Sequence, residues 1–159
     1  MNIISSLLSS EDIVLGLPAS DAERVCEEIA RLAARRPQVD DKLAFRALWR
    51  REQSGSTALG HGIAIPHARL PGITDPVLLF VRTKLPIPFG APDDQPVSAF
   101  FVILVPEHAN EEHLRILATV SEMFSDEGFR DRLEATTEPL AIQRLFGQWA
   151  RENDSSVMK

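Results

Sequence analysis

The sequence predicts an α/β chain, a mixed β-sheet flanked by helices. Helical periodicity occupies the segment before residue 56 and returns after residue 109. Between them lie short β-rich runs separated by Gly, Pro and Asp. Two of these runs, Val-Leu-Leu-Phe-Val and Ala-Phe-Phe-Val-Ile-Leu-Val, are apolar at successive positions, as central strands covered on both faces should be. With 159 residues, one domain is expected over residues 1–150, followed by a frayed tail over 151–159.

The first predicted helix starts at Ser20, because Ser20 and Glu23 have the spacing of a capping box. Val25, Cys26, Ile29, Leu32 and Ala33 follow at helical spacing, and Pro37 ends the pattern. A second helix opens at Asp40 or Asp41 and turns Leu43, Ala47 and Leu48 inward. It closes at Gly55, a residue suited to the left-handed position past a helix end. Strands are predicted over 57–59, 63–65, 77–83 and 97–105. Asn110 then opens a helix with Leu114, Leu117, Ala118, Ser121 and Phe124 on its inward stripe. A short helix is expected around 129–133. The last begins near Thr137 with Pro139 in its first turn and buries Leu140, Ile142, Leu145, Phe146 and Trp149.

Composition narrows the function. Seventeen basic against 23 acidic residues leave a net charge of -6. Nucleic-acid binding draws on basic surface that neutralises phosphates, so that class is disfavoured. The one local basic cluster is Arg46, Arg50 and Arg51 around Trp49. No apolar run approaches the ~20 residues a bilayer span requires, so membrane insertion is not expected. The N-terminus lacks a basic stretch and soon meets Glu11 and Asp12, which argues against a secretory leader. A single cysteine, Cys26, forms neither an internal disulfide nor a multi-cysteine metal site, and a cytoplasmic location is expected.

The chemistry concentrates between Arg51 and Arg69. Gly60 and Gly62 bracket His61 in a loop whose backbone can approach another molecule closely. Pro66 biases Ile65 toward extended backbone and presents His67 directly after a fixed φ. A histidine so placed at the end of a strand suits a positioned nucleophile, because neutral imidazole carries a lone pair near pH 7. Phosphoryl transfer through a loose transition state asks chiefly for alignment and positive surroundings. Ser54, Ser56 and Thr57 could donate to phosphoryl oxygens, or simply serve the turn between helix and strand. His113 falls in the first turn of the helix capped by Asn110, beside free N–H groups, provided Glu111 and Glu112 point away. Arg51 either reaches phosphoryl oxygens with its fork or pairs with Glu52 on an exposed helix face. His61 and His108 read as solvated loop residues, and Arg46 and Arg50 as a solvated face. A metal site built from His61, His67 and His113 lacks a recognised ligand spacing.

Arg51, the Ser-Thr-x-Leu-Gly-x-Gly-Ile-Ala-Ile-Pro-His run ending at His67, and His113 together resemble the fructose/mannitol-type IIA domain of the bacterial phosphotransferase system. The resemblance spans roughly residues 5–146. Pro86-Ile87-Pro88-Phe89, Asp93-Asp94-Gln95-Pro96-Val97 and Leu104-Val105-Pro106 are similar to the nitrogen-regulatory branch of that family. His61 departs from the residues usual between the two glycines. The resemblance implies that His67 accepts a phosphoryl group, through Nε2, from a phosphorylated HPr-like protein charged from phosphoenolpyruvate. Arg51 would stabilise that group and His113 would assist, with no metal or cofactor. Ser56, Thr57, Gly60 and Gly62 are further candidate contacts. Phosphorylation would then control protein partners that meet a rim of Leu59, Ile63 and Leu70. The alternative is a sugar-specific IIA component that passes its phosphate to a IIB domain.

Overall fold

The computed structural model describes residues 3–157, with side chains through residue 153. The chain runs through α1 (Ile3–Leu7), a 3-10 turn (Ser10–Asp12), β1 (Ile13–Leu17), α2 (Ala22–Ala33) and α3 (Asp41–Gln53). Five strands follow: β2 (Ala58–Gly60), β3 (Ile63–Ala64), β4 (His67–Leu70), β5 (Val77–Ile87) and β6 (Val97–Pro106). Then come α4 (Glu111–Ser125), α5 (Glu127–Ala135) and α6 (Pro139–Val157).

The strands form one mixed sheet in the order β1-β5-β6-β3-β2, with β4 also paired to β6. β5 and β6 are antiparallel, while β1 runs parallel to β5 and both β3 and β4 run parallel to β6. Alternation along the two central strands divides the core. Leu79 and Val81 of β5, with Phe100, Val102 and Leu104 of β6, pack toward α2 and α3. Leu78 and Phe80, with Phe101 and Ile103, pack toward α1, α4, α5 and α6. Both faces are apolar because both are covered, as the uninterrupted runs foretold.

Several elements differ from their sequence-based expectation, each for a local reason. α2 is capped by Asp21, whose carboxylate accepts from Arg24 N, so the cap lies one residue beyond Ser20. α2 stops at Ala33, ahead of Pro37. α3 is capped by Asp40 and turns Ala44 and Leu48 into the core, while Leu43 is exposed. α4 buries Ile116, Val120, Met123 and Phe124, so Leu114 and Ala118 face outward from the chosen stripe. Leu140 of α6 is likewise exposed. β1 and α1 had no counterpart in the sequence reading, since five residues interrupted by Gly16 show little periodicity. Asp12 secures that entry: it accepts from Ser9 and pairs with Arg36 at 2.7 Å. The tail expected from residue 151 is helical to Val157, with Asn153 bonded back to the Trp149 carbonyl and Gln148 to Glu152; residues 158–159 lie outside the described residues.

The α4–α6 side is organised by aromatic rings. Phe146 meets Phe80, Phe101, Phe124 and Phe129 edge to face, with centroids 5.2–6.2 Å apart. Phe146→Ala is expected to remove about 3–5 kcal/mol of stability, because four rings would then surround a cavity. Urea denaturation followed by far-UV circular dichroism checks this; a loss below about 1 kcal/mol would mean that the rings collapse to fill the space.

Candidate functional site

β3 and β4 are two pieces of one edge laid along β6. Ile63 and Ala64 pair with Ala99 and Phe100, and His67–Leu70 pair with Ile103–Pro106. Pro66 separates the pieces because it has no N–H to continue the ladder, although its carbonyl still accepts from Ile103 N at 2.9 Å. His67 therefore opens β4, where the sequence suggested that it ends a strand. Ala68 and Leu70 belong to the α2–α3 core. By alternation His67 and Arg69 project to the other side, the side of Ile103 and Val105.

The half-buried His67 ring is fixed from behind. Its Nδ1 lies 2.8 Å from the carbonyl oxygen of Ile65. A carbonyl only accepts, so Nδ1 carries the proton and Nε2 holds the lone pair. The ring borders a groove of about 680 Å³ between α3, β4, β6 and α4. Arg50, Arg51, Arg69 and His113 line it, and none of its lining residues is a carboxylate. A chain of net charge -6 thus presents a locally positive cleft. The floor and walls are apolar, formed by Ile103, Val105, Ala47, Ala68, Leu114 and Leu117.

The cations are largely uncommitted. Arg51 donates one bond to the Gly55 carbonyl at 2.7 Å and keeps its other donors. Arg69 donates to the Glu107 carbonyl at 3.2 Å. The Arg50 side chain has no hydrogen-bond or ion-pair partner among the described residues. His113 occupies the third position of α4, where its amide donates to Asn110 Oδ1 at 2.8 Å. Its Nδ1 is buried without a hydrogen-bond partner, which leaves Nε2 as the accessible nitrogen. An Nε2–H tautomer avoids burying an unpaired N–H and aims a donor at the groove. Glu111 is drawn off to Arg115 at 2.8 Å, and neither Glu111 nor Glu112 lines the groove.

The structure thus brings His67, Arg51 and His113 together, with Ser54 beside them, and commits the polar groups of the other sequence-derived candidates elsewhere. Ser56 donates to the Phe89 carbonyl and accepts from Ala58 N. Thr57 is buried, and its hydroxyl donates to Glu52 Oε1 at 2.7 Å. Ser54 lines the groove but gives its hydroxyl to the Arg51 carbonyl. Gly60 leads into the β2–β3 turn, whose central residues His61 and Gly62 have φ of 58° and 75°. That pairing of positive φ values belongs to a two-residue hairpin. The turn is held by Asp93, which accepts His61 N at 2.9 Å. The His61 and Gln95 amides hold the Asp93 carboxyl below the usual carboxylate range. His61 itself borders a different depression, beside Arg82, Glu127 and Asp131. Of the expected apolar rim, Leu59 is exposed but does not line the groove, and Ile63 and Leu70 are buried; Leu114 supplies an exposed leucine at the groove. His108 is exposed beside Glu107.

Three residues hold places that the sequence did not assign them: Arg50, expected on a solvated face, lines the groove, as does Arg69, and Glu52, expected as a partner of Arg51, is bonded to Thr57. Arg69 stands two positions after His67 on the same strand face, a spacing that could have pointed to it. Arg50 follows Ala47 by three residues along α3, the helical equivalent. Glu52 offered no such signal, because its partner Thr57 lies beyond the helix. Burial pushes the Glu52 carboxyl above its ordinary value, against the Thr57 hydrogen bonds and the charges of Arg51 and His67. Cys26, in the core near Glu52, is pushed up to about 12 by burial and is no nucleophile. Among the described residues no group of three or more His, Cys, Asp or Glu is placed to hold a metal ion, and no helix is long and apolar enough to cross a membrane.

A mixed sheet between two helical layers is the fold that this chain shares with solved IIA proteins. Residues 6–149 match the family described as the phosphoenolpyruvate-dependent sugar phosphotransferase system, EIIA 2, and the chain belongs to that family. It is 38% identical over 143 residues to a nitrogen regulatory protein of Pseudomonas aeruginosa, covering 89% of this chain and 93% of that one. It is 34% identical to the fructose-specific EIIA component of Haloferax volcanii, covering 91% and 95% of the two chains. The crystal structure of nitrogen regulatory protein IIA-Ntr from Neisseria meningitidis superposes with a TM-score of 0.85 at 35% identity, covering 91% of this chain and 99% of that one.

A raised carboxyl pKa in the folded state favours the protonated form. The stability it contributes is complete below the ordinary glutamate value and disappears as pH rises through the raised one. Glu52→Gln lacks that titration. Denaturation across this window should show the native chain losing stability relative to Glu52→Gln as pH rises. A pH-independent difference would place Glu52 at its ordinary value.

Proposed function

We propose that this protein is a phosphoryl carrier whose Nε2 of His67 accepts a phosphoryl group from the phosphohistidine of an HPr-like protein. The supporting observation is the Ile65 carbonyl on Nδ1, which leaves the nucleophilic lone pair at Nε2 beside the groove arginines. In the transfer, Nε2 forms a bond to phosphorus as the donor's P–N bond breaks, and that electron pair returns to the donor ring. With the second nitrogen of each ring protonated, no proton needs to cross. Arg51 and Arg50 offset the charge on the equatorial oxygens, and His113 donates from Nε2 to one of them. The flanking apolar walls suit a protein surface better than a small polar substrate.

Likeness to nitrogen regulatory proteins supports a regulatory use of this chemistry, in the cytoplasm. Phosphorylation adds roughly -1.5 to -2 charges to a groove that otherwise presents cations beside Leu114 and Leu117. Partners drawn to the free groove would be released, so the phosphorylation state would control which proteins bind. A second reading follows from the fructose-specific relative: a transport component that passes phosphate to a IIB domain.

Incubation with phosphoenolpyruvate and the upstream carriers should place acid-labile, base-stable phosphate on the native chain and none on His67→Ala. Continued labelling of that variant would refute the assignment. Arg51→Ala and His113→Ala should remain competent acceptors but react about 100-fold more slowly, the cost of removing one positioned donor. Discharge of the labelled protein by a sugar-specific IIB domain decides for the transport reading; retention in its presence decides for the regulatory one.

A further inference from the structure

Behind the groove lies a carboxylate that does not line it. Glu52 is half-buried in the last turn of α3. Thr57 occupies both of its oxygens: the amide donates to Oε2 at 2.8 Å and the hydroxyl to Oε1 at 2.7 Å. Accepting at both oxygens is the pattern of an ionised carboxylate. The Thr57 carbonyl accepts from Ile65 N at 3.0 Å, and the Ile65 carbonyl accepts from His67 Nδ1. The carboxylate and the imidazole are therefore tied to the same short stretch of backbone, through hydrogen bonds at either side of Thr57 and of Ile65.

We infer that Glu52 is a positioning residue for His67: through Thr57 and Ile65 it holds the ring with Nδ1 protonated, and its charge offsets the positive charge the ring gains when Nε2 bonds phosphorus. The inference rests on the acceptor role proposed for His67. A ring that attacks through Nε2 while keeping its Nδ1 proton becomes a phosphoimidazolium. Loss of that proton would set the Nδ1 lone pair against the Ile65 carbonyl, so the peptide favours retention. Retention in turn lets neutral imidazole depart when the phosphoryl group moves on. The other charged or titratable groups around the ring are Arg50 and Arg51 from α3, Arg69 from β4 and His113 from α4. None of them can be negative, whereas Glu52 and His67 attract each other. Glu52 thus supplies a counter-charge from outside the cleft that receives the phosphoryl oxygens.

Two substitutions in the full chain separate charge from geometry. Glu52→Gln can keep the Thr57 clamp, accepting the amide at Oε1 and donating from Nε2 to the hydroxyl, while it removes the charge. Phosphoryl uptake should then slow roughly tenfold with an unchanged dependence on donor concentration, the pattern of an interaction stronger in the transition state. Glu52→Ala removes the clamp as well. In long-range 1H–15N spectra of the unphosphorylated protein, the native ring should carry its proton on Nδ1, and the Ala variant should show a mixture of tautomers. Glu52→Gln uptake within about twofold of native would overturn the inference, as would a folded Ala variant with the native ring spectrum. Should the Ala variant fail to fold, the Gln rate decides alone. Labelling of His67→Ala would instead overturn the acceptor reading, and the tautomer measurement is independent of that reading.

Discussion

The hydrogen bond from His67 Nδ1 to the Ile65 carbonyl is the constraint on which the site depends. It exists because Pro66 breaks the ladder between two short strands that share one edge of β6. With no proline N–H to pair, the chain spends two residues turning between β3 and β4, and the carbonyl of the first is free to meet the ring of the third. The same break leaves β4 without β2 or β3 on its outer side. α3 covers that edge incompletely, and the residual space becomes the groove.

Rigidity comes from the position of this edge in the sheet. β6 is central, covered by helices on both faces, and its partner strand is pinned to it over four consecutive residues. The proposed nucleophile, carried on such a strand, would need little reorganisation, which is what transfer through a loose transition state rewards. The second helical layer adds the opposite wall. Because the buried stripe of α4 is Ile116, Val120, Met123 and Phe124, its first two turns lean Leu114 and Leu117 over the groove and set His113 at the helix start. A shift of that stripe by one position would dismantle the wall.

Electrostatics divide between the groove and what lies behind it. Arginines collect at the open side, where a phosphoryl group or an acidic partner would arrive. Glu52 stays outside the lining and is held there by two hydrogen bonds from Thr57. Separating the signs in this way lets one imidazole meet positive surroundings at Nε2 and, through Nδ1, the influence of a negative group. Cys26, buried beside this arrangement, remains an uncharged hydrophobe.

Much of this was legible in the residues themselves. Uninterrupted apolar runs specify a two-sided central sheet, Asp40, Asn110 and Pro139 mark helix starts, and Ile-Pro-His announces an aimed imidazole, since each signal acts within a few positions of the chain. Tertiary structure decided the rest. Which leucines of α4 face outward depends on how that helix seats against β6, a matter of packing that periodicity leaves ambiguous by one step. Ser56, Thr57, Gly60 and Gly62 lie next to the motif in sequence, yet they serve the turn and the hairpin because Phe89, Glu52 and Asp93 claim their polar groups across the fold. Arg50, Arg69 and Glu52 acquire their relation to His67 only when α3 closes over the interrupted edge, for a charge acts through space and a sequence records only order.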